Sequence, residues 1–111
     1  MVHVSLIVNV AVLVPVLWGL LTASPGSEAA FGADTPARRI LISVYLAIAA
    51  ISAVLLAAPA GWRTMLVPGL LLLQVIYKVV TVPMLGPSHP VALANLTIAA
   101  IHALTLWTLV R

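Results

Sequence analysis

Charge is what this sequence has least of. Of 111 residues, five are basic and two acidic, so charged residues make up 6% of the chain against 64% hydrophobic. A water-soluble domain carries about 25% charged residues. This composition therefore excludes a globule solvated by water and points to an integral membrane protein. Cysteine is absent, which excludes a disulfide framework and thiolate metal sites, and leaves the redox compartment unmarked. Acid is confined to Glu28 and Asp34 in one polar segment. The paired carboxylates of a hydrolase are missing, as are zinc-binding spacings and a nucleophile elbow, so no metal is expected. A net charge of +3 supplies no basic face of the kind nucleic acid needs, and no nucleic-acid partner is expected.

What is there is long apolar runs. A helix needs about twenty residues to cross the hydrocarbon of a bilayer. Four such runs occur, at about 2–21, 36–58, 63–85 and 90–110. They are continuous rather than alternating, which excludes a closed β-barrel. The expected fold is all-α: a polytopic membrane protein of four transmembrane helices in an antiparallel bundle, one domain over residues 1–111. The connections "PAGW" and "GPSH" are short enough to make spans two to four neighbours. The longer segment, residues 22–35, reads as a polar, glycine-containing loop. Residues 2–21 lack the positive start of a signal peptide and exceed the usual length of its apolar region, so they read as a retained first span despite the "TASPGS" that follows.

Local chemistry marks the span ends. Thr35–Pro36 is an N-cap followed by proline at the first helical position, and Ser88 with Pro90 fits the same role for span four. Trp18, Trp62 and Trp107 lie near span ends, where indoles favour the interface. Pro15 and Pro68 predict kinks. The cations do not fix an orientation. Arg38 and Arg39 fall on one side, Arg63 and Arg111 on the other. That balance allows a partner or the lipid to choose the orientation, or both orientations to be inserted.

The polar residues inside the spans fall at two depths. Lys78 lies seven residues from Leu85, Asn95 five from Pro90, and Tyr45 six from Arg39, which is roughly 8–10 Å at the rise of an α-helix. Deeper are Gln74, His102, Asn9 and Ser52, each eleven to thirteen residues in. Gln74, Lys78 and Thr81 share one helical face, with Tyr77 beside them. An unpartnered polar group in lipid is unfavourable by several kcal/mol, to order of magnitude, so these stripes are expected to face one another. The candidate ligand-binding residues are Lys78, Tyr77, Gln74, Tyr45, Asn95, His102 and Asn9. Each has a plainer explanation. Lys78 can snorkel toward the interface. Asn95 and Gln74 suit interhelical glue. His102 as a haem or chlorophyll ligand lacks a second histidine at matching depth, so the cofactor is unknown. "NLT" at 95–97 fits a glycosylation signal but lies inside a span. Ala49, Ala53 and Ala57, and Ala92, Ala99, Ala100 and Ala103, let helices approach closely, within the chain or against a partner.

The third span, "PGLLLLQVIYKVVTVPML", with Pro68, Gln74, Tyr77, Lys78 and Pro83 as its markers, resembles a pattern in uncharacterised small bacterial membrane proteins. That resemblance implies a four-helix protein of a bacterial inner membrane and no particular activity. In length and helix number the chain also resembles the small multidrug resistance transporters, but their first-helix glutamate has no counterpart; span one offers only Asn9. The leading expectation is a small accessory or oligomerising subunit whose polar seam around Lys78 holds a lipid, a quinone-like molecule or a small anion. Its partners would be the bilayer and a homo-oligomer or larger membrane complex. An oligomeric transporter or channel comes second, and an intramembrane enzyme third.

The charge balance makes orientation sensitive to Arg38 and Arg39. With reporters fused at the C-terminus, changing both to alanine should shift the population of orientations. A uniform wild type and an unmoved double variant would show that these charges do not set topology.

Overall fold

The computed structural model describes residues 1–22 and 24–110; of the four topology-marking arginines, Arg111 lies outside them. The chain is all-α. Its helices are α1 (Val2–Leu21), α2 (Pro25–Phe31), α3 (Pro36–Ala57), α4 (Ala60–Leu85) and α5 (Pro90–Val110). All but α2 are long and apolar enough to cross a membrane.

The boundaries follow from local chemistry. Ser24 accepts a hydrogen bond from the Ser27 amide at 3.2 Å, Pro25 occupies the first turn, and Gly32 at φ 86° closes α2. The segment expected as a loop thus holds a short helix, because its Ser-Pro start and glycine end are cap signals as much as loop signals. Thr35 caps α3 as predicted, accepting from the Arg38 amide at 3.3 Å. At α5 the cap is His89, whose Nδ1 accepts from the Val91 amide at 3.1 Å. Ser88 stands one residue too early for that role. Helix α4 begins at Ala60, earlier than the expected Arg63, and runs through both Pro68 and Pro83; α1 likewise runs through Pro15.

Packing pairs α1 with α3 and α4 with α5. Leu13, Leu17 and Leu20 of α1 meet Tyr45, Ile48 and Ala49 of α3 in one apolar cluster. Leu6, Leu55, Val67 and Leu71 form a second. Between the two, on α1 and α3, lie Asn9 and Ser52. The molecule is apolar outside and polar within. Ser5, Asn9, Ser52, Gln74, Lys78, Asn95, His102 and Thr105 are buried, whereas Ile7, Val14, Leu46, Val54, Leu73 and Leu104 are exposed. Exposed hydroxyls turn back on their own helices: Ser43 to Arg39 O at 3.0 Å, Thr64 to Ala60 O at 3.0 Å, Thr97 to Leu93 O at 3.1 Å. Of the α3 alanine ridge, Ala49 faces inward, while Ala53 and Ala57 face outward.

Two arginines close helix ends. Arg38 is buried and donates through Nη2 to Leu20 O at 2.9 Å and through Nη1 to Gly32 O at 3.1 Å. One side chain thereby ties the ends of α1 and α2 to the start of α3. Arg63 donates to Leu55 O and Ala58 O at 3.2 and 2.6 Å, closing α3. Cations suit these carbonyl-rich ends. Gly19 lets α2 fold back on α1, since a Cβ there would stand 2.5 Å from Ser27 Oγ. Arg39 grips both oxygens of Asp34 at 3.0 Å and so holds that carboxyl below its ordinary pKa. The pair is exposed and adds little to stability.

Removing the Arg38 guanidinium should leave two carbonyls unanswered. Arg38→Met is expected to destabilise by about 1–3 kcal/mol, read as a lower unfolding midpoint in detergent, with faster proteolysis between α2 and α3. An unchanged midpoint would mean water replaces the arginine without penalty.

Candidate functional site

The polar residues expected to share a seam divide into two groups. The lower group joins three helices. Asn9 Nδ2 of α1 donates to Ser52 Oγ of α3 at 3.0 Å. Asn9 Oδ1 is then the acceptor facing His102 Nε2 of α5 at 2.8 Å. This makes Nε2 the protonated nitrogen, so Nδ1 accepts from Ser5 Oγ at 3.0 Å. Ser5 Oγ in turn accepts from Thr105 Oγ1 at 2.7 Å. Thr105→Ser5→His102→Asn9→Ser52 is thus a directed chain in which every link has its partner. His102, with both ring nitrogens engaged, has none free for a metal. No group of metal-ligating residues occurs elsewhere among the described residues.

Gln74, expected at this depth, does not join. Its Nε2 reaches only Leu70 O at 3.4 Å, and its Oε1 is buried without a partner. Thr105 is the member that sequence reasoning missed. Its place three residues beyond His102, on the same face, was the available signal.

The upper group centres on Lys78. Its side chain is 4% exposed, and Nζ donates to Asn95 Oδ1 at 3.2 Å. Asn95 Nδ2 donates to Thr81 Oγ1 at 3.2 Å, and Thr81 donates to Lys78 O at 2.5 Å. The ammonium lies 4.9 Å from the centroid of the Tyr77 ring, a cation–π distance. The Tyr77 hydroxyl is buried and unpartnered. No carboxylate pairs with Lys78; the one ion pair among the described residues is Arg39–Asp34.

Two cavities meet at this group. One, of about 230 Å³, lies between α1 and α5, with Val12, Val16, Ala94 and Ile98 on its sides and Lys78, Tyr45 and Asn95 on its wall. The other, of about 480 Å³, lies toward the α2 end and is lined by Glu28, Thr81 and His89 among others. Phe31, Tyr45, Val91 and Asn95 border both. Phe31 is held edge-on against Tyr45, with centroids 6.0 Å apart and planes at 82°. Below the smaller cavity α1 and α5 are clasped by the His102 bonds; above that clasp they part.

No family model, curated protein or solved structure matches the chain. Its function is therefore argued from this geometry.

The two groups should respond oppositely to apolar replacement. His102→Leu strands Ser5 and Asn9 and is expected to lower stability by about 1–3 kcal/mol. Gln74→Leu removes a carbonyl that already lacks a partner and should be neutral or stabilising. Chemical unfolding of both variants in micelles provides the comparison. Equal losses would show that Gln74 is as firmly bonded as His102.

Proposed function

We propose that the four long helices insert as an antiparallel bundle in a bilayer, that of a bacterial inner membrane, and that the chain is a small accessory or oligomerising subunit holding an amphiphilic molecule against Lys78. The observation that carries this reading is that Lys78, buried and without a counter-charge, lines a largely apolar cavity. A charged side chain deep in a membrane is unfavourable by roughly 2.5–3.5 kcal/mol on insertion scales. A snorkelling lysine escapes this by extending its head outward, away from helix neighbours. Lys78 instead turns to Asn95 and the Tyr77 face, with 4% exposure.

The apolar outer surface supports insertion, because no soluble monomer leaves so much large hydrophobic surface uncovered. The outward Ala53 and Ala57 supply a thin face on which a second chain can pack closely. A second reading, an oligomeric transporter or channel, draws on the meeting of two cavities at Asn95. It asks for a path across the whole bundle, whereas the His102 chain fills the layer below with satisfied hydrogen bonds.

Lys78→Met keeps the stem and removes the charge. After purification in mild detergent, native mass spectrometry should find a small molecule on the wild type and none on a still-folded Lys78→Met. Lys78→Arg should recover part of it, because a planar fork replaces a compact charge. Full retention of every small molecule and partner by Lys78→Met would leave Lys78 without a binding role.

A further inference from the structure

We propose that the occupant of the Lys78 cavity is a single-chain monocarboxylate, a fatty-acid-like amphiphile that slides head first between α1 and α5. This rests on the amphiphile reading above and adds the chemistry of the head and the route of the tail.

Charge fixes the head. Among the described residues, Lys78 is the one cation on the cavity wall. Arg38 is spent on Leu20 O and Gly32 O, and Arg39 on Asp34. A phosphate monoester brings about −1.5 to −2 charges, more than one ammonium neutralises. A neutral quinone carbonyl can accept a hydrogen bond but leaves the ammonium uncompensated in a medium of low dielectric. One carboxylate cancels the charge. The geometry agrees: an ammonium has three N–H groups, one is taken by Asn95 Oδ1, and two remain for two carboxylate oxygens. A phosphodiester lipid would carry glycerol and ester oxygens into a space where, besides Lys78, Tyr45 and Asn95 are the only lining side chains able to donate, and the Asn95 amide already donates to Thr81.

The cavity fixes the tail. A void of about 150 Å³ takes a benzene-sized group. The 230 Å³ here takes a carboxylate and the first part of a chain, and the remainder has to leave it; Ala94, on the α5 side of the lining, is exposed and marks the proposed gap. The gap lies on the apolar flank of the bundle, so a tail leaving there stays in hydrocarbon. The lower end is shut by the Ser5–His102–Asn9 bonds; of the two ways out above it, the adjoining cavity ends at polar residues, Glu28 and His89, whereas the α1–α5 seam is apolar and suits a tail.

The test uses the full chain in detergent with three separate probes of matched tail: palmitate, hexadecyl phosphate and a hexadecyl-substituted benzoquinone. Retention is read by native mass spectrometry. Palmitate should be retained at least tenfold better by the wild type than by Lys78→Met. Ala94→Phe, which plugs the gap and leaves the lysine, should also lose at least tenfold, whereas Ala103→Phe, exposed elsewhere on α5, should not. Lys78-dependent retention of hexadecyl phosphate or the quinone in preference to palmitate overturns the carboxylate assignment and leaves the amphiphile reading standing. Palmitate held equally by wild type and Lys78→Met overturns the assignment. Absence of Lys78-dependent retention of any probe overturns both. Palmitate lost from Lys78→Met but kept in full by Ala94→Phe overturns the route.

Discussion

A polar side chain buried among apolar helices is costly unless another part of the same chain answers it, and that constraint organises the rest. Three apolar helices could slide past one another with little change in energy, since Leu against Leu differs little from Leu against lipid. Hydrogen bonds between helices do not allow that freedom. Asn9 reaches Ser52 at 3.0 Å and His102 at 2.8 Å, and a shift of one turn would separate all three by about 5.4 Å along the axis. The polar chain therefore fixes register and leaves the leucine clusters on either side of it to fill space.

The same constraint makes Lys78 conspicuous. Its hydrogen bond to Asn95 satisfies one donor but brings no charge. In the lower group each polar residue from Thr105 to Ser52 has a neighbour to bond; in the upper group the ammonium lacks a counter-charge. Where a neutral bonded network lies beside one with an uncompensated ion near a cavity, the first reads as scaffold and the second as site. The opposite assignment, with His102 as a ligand-binding centre, would require a ring nitrogen to break an existing bond.

Much of this is legible in the sequence, because continuous apolar runs with proline and glycine punctuation fix the extents of α1, α3, α4 and α5 to within three residues. Depth counting also places Lys78 with Asn95, and His102 with Asn9 and Ser52, since the helical rise is constant. Depth does not supply rotation about the helix axis, and that is why it groups Gln74 with partners it does not touch. The short α2 is hidden by composition: Ser, Pro and Gly signal loops and caps alike, and only the closure of its hydrogen bonds distinguishes them. The Arg38 caps are hidden for another reason. A cation near a span end reads as a topology signal, and no sequence pattern says that it will instead bend inward to the carbonyls of Leu20 and Gly32.

The His102 contacts join residues 93 to 97 positions apart, and this has a consequence for how the molecule is made. A ribosome releases α1 well before α5. Until α5 arrives, Ser5 and one side of Asn9 lack the His102 ring that bonds them. The half-made protein is therefore chemically distinguishable from the finished one by two exposed polar side chains.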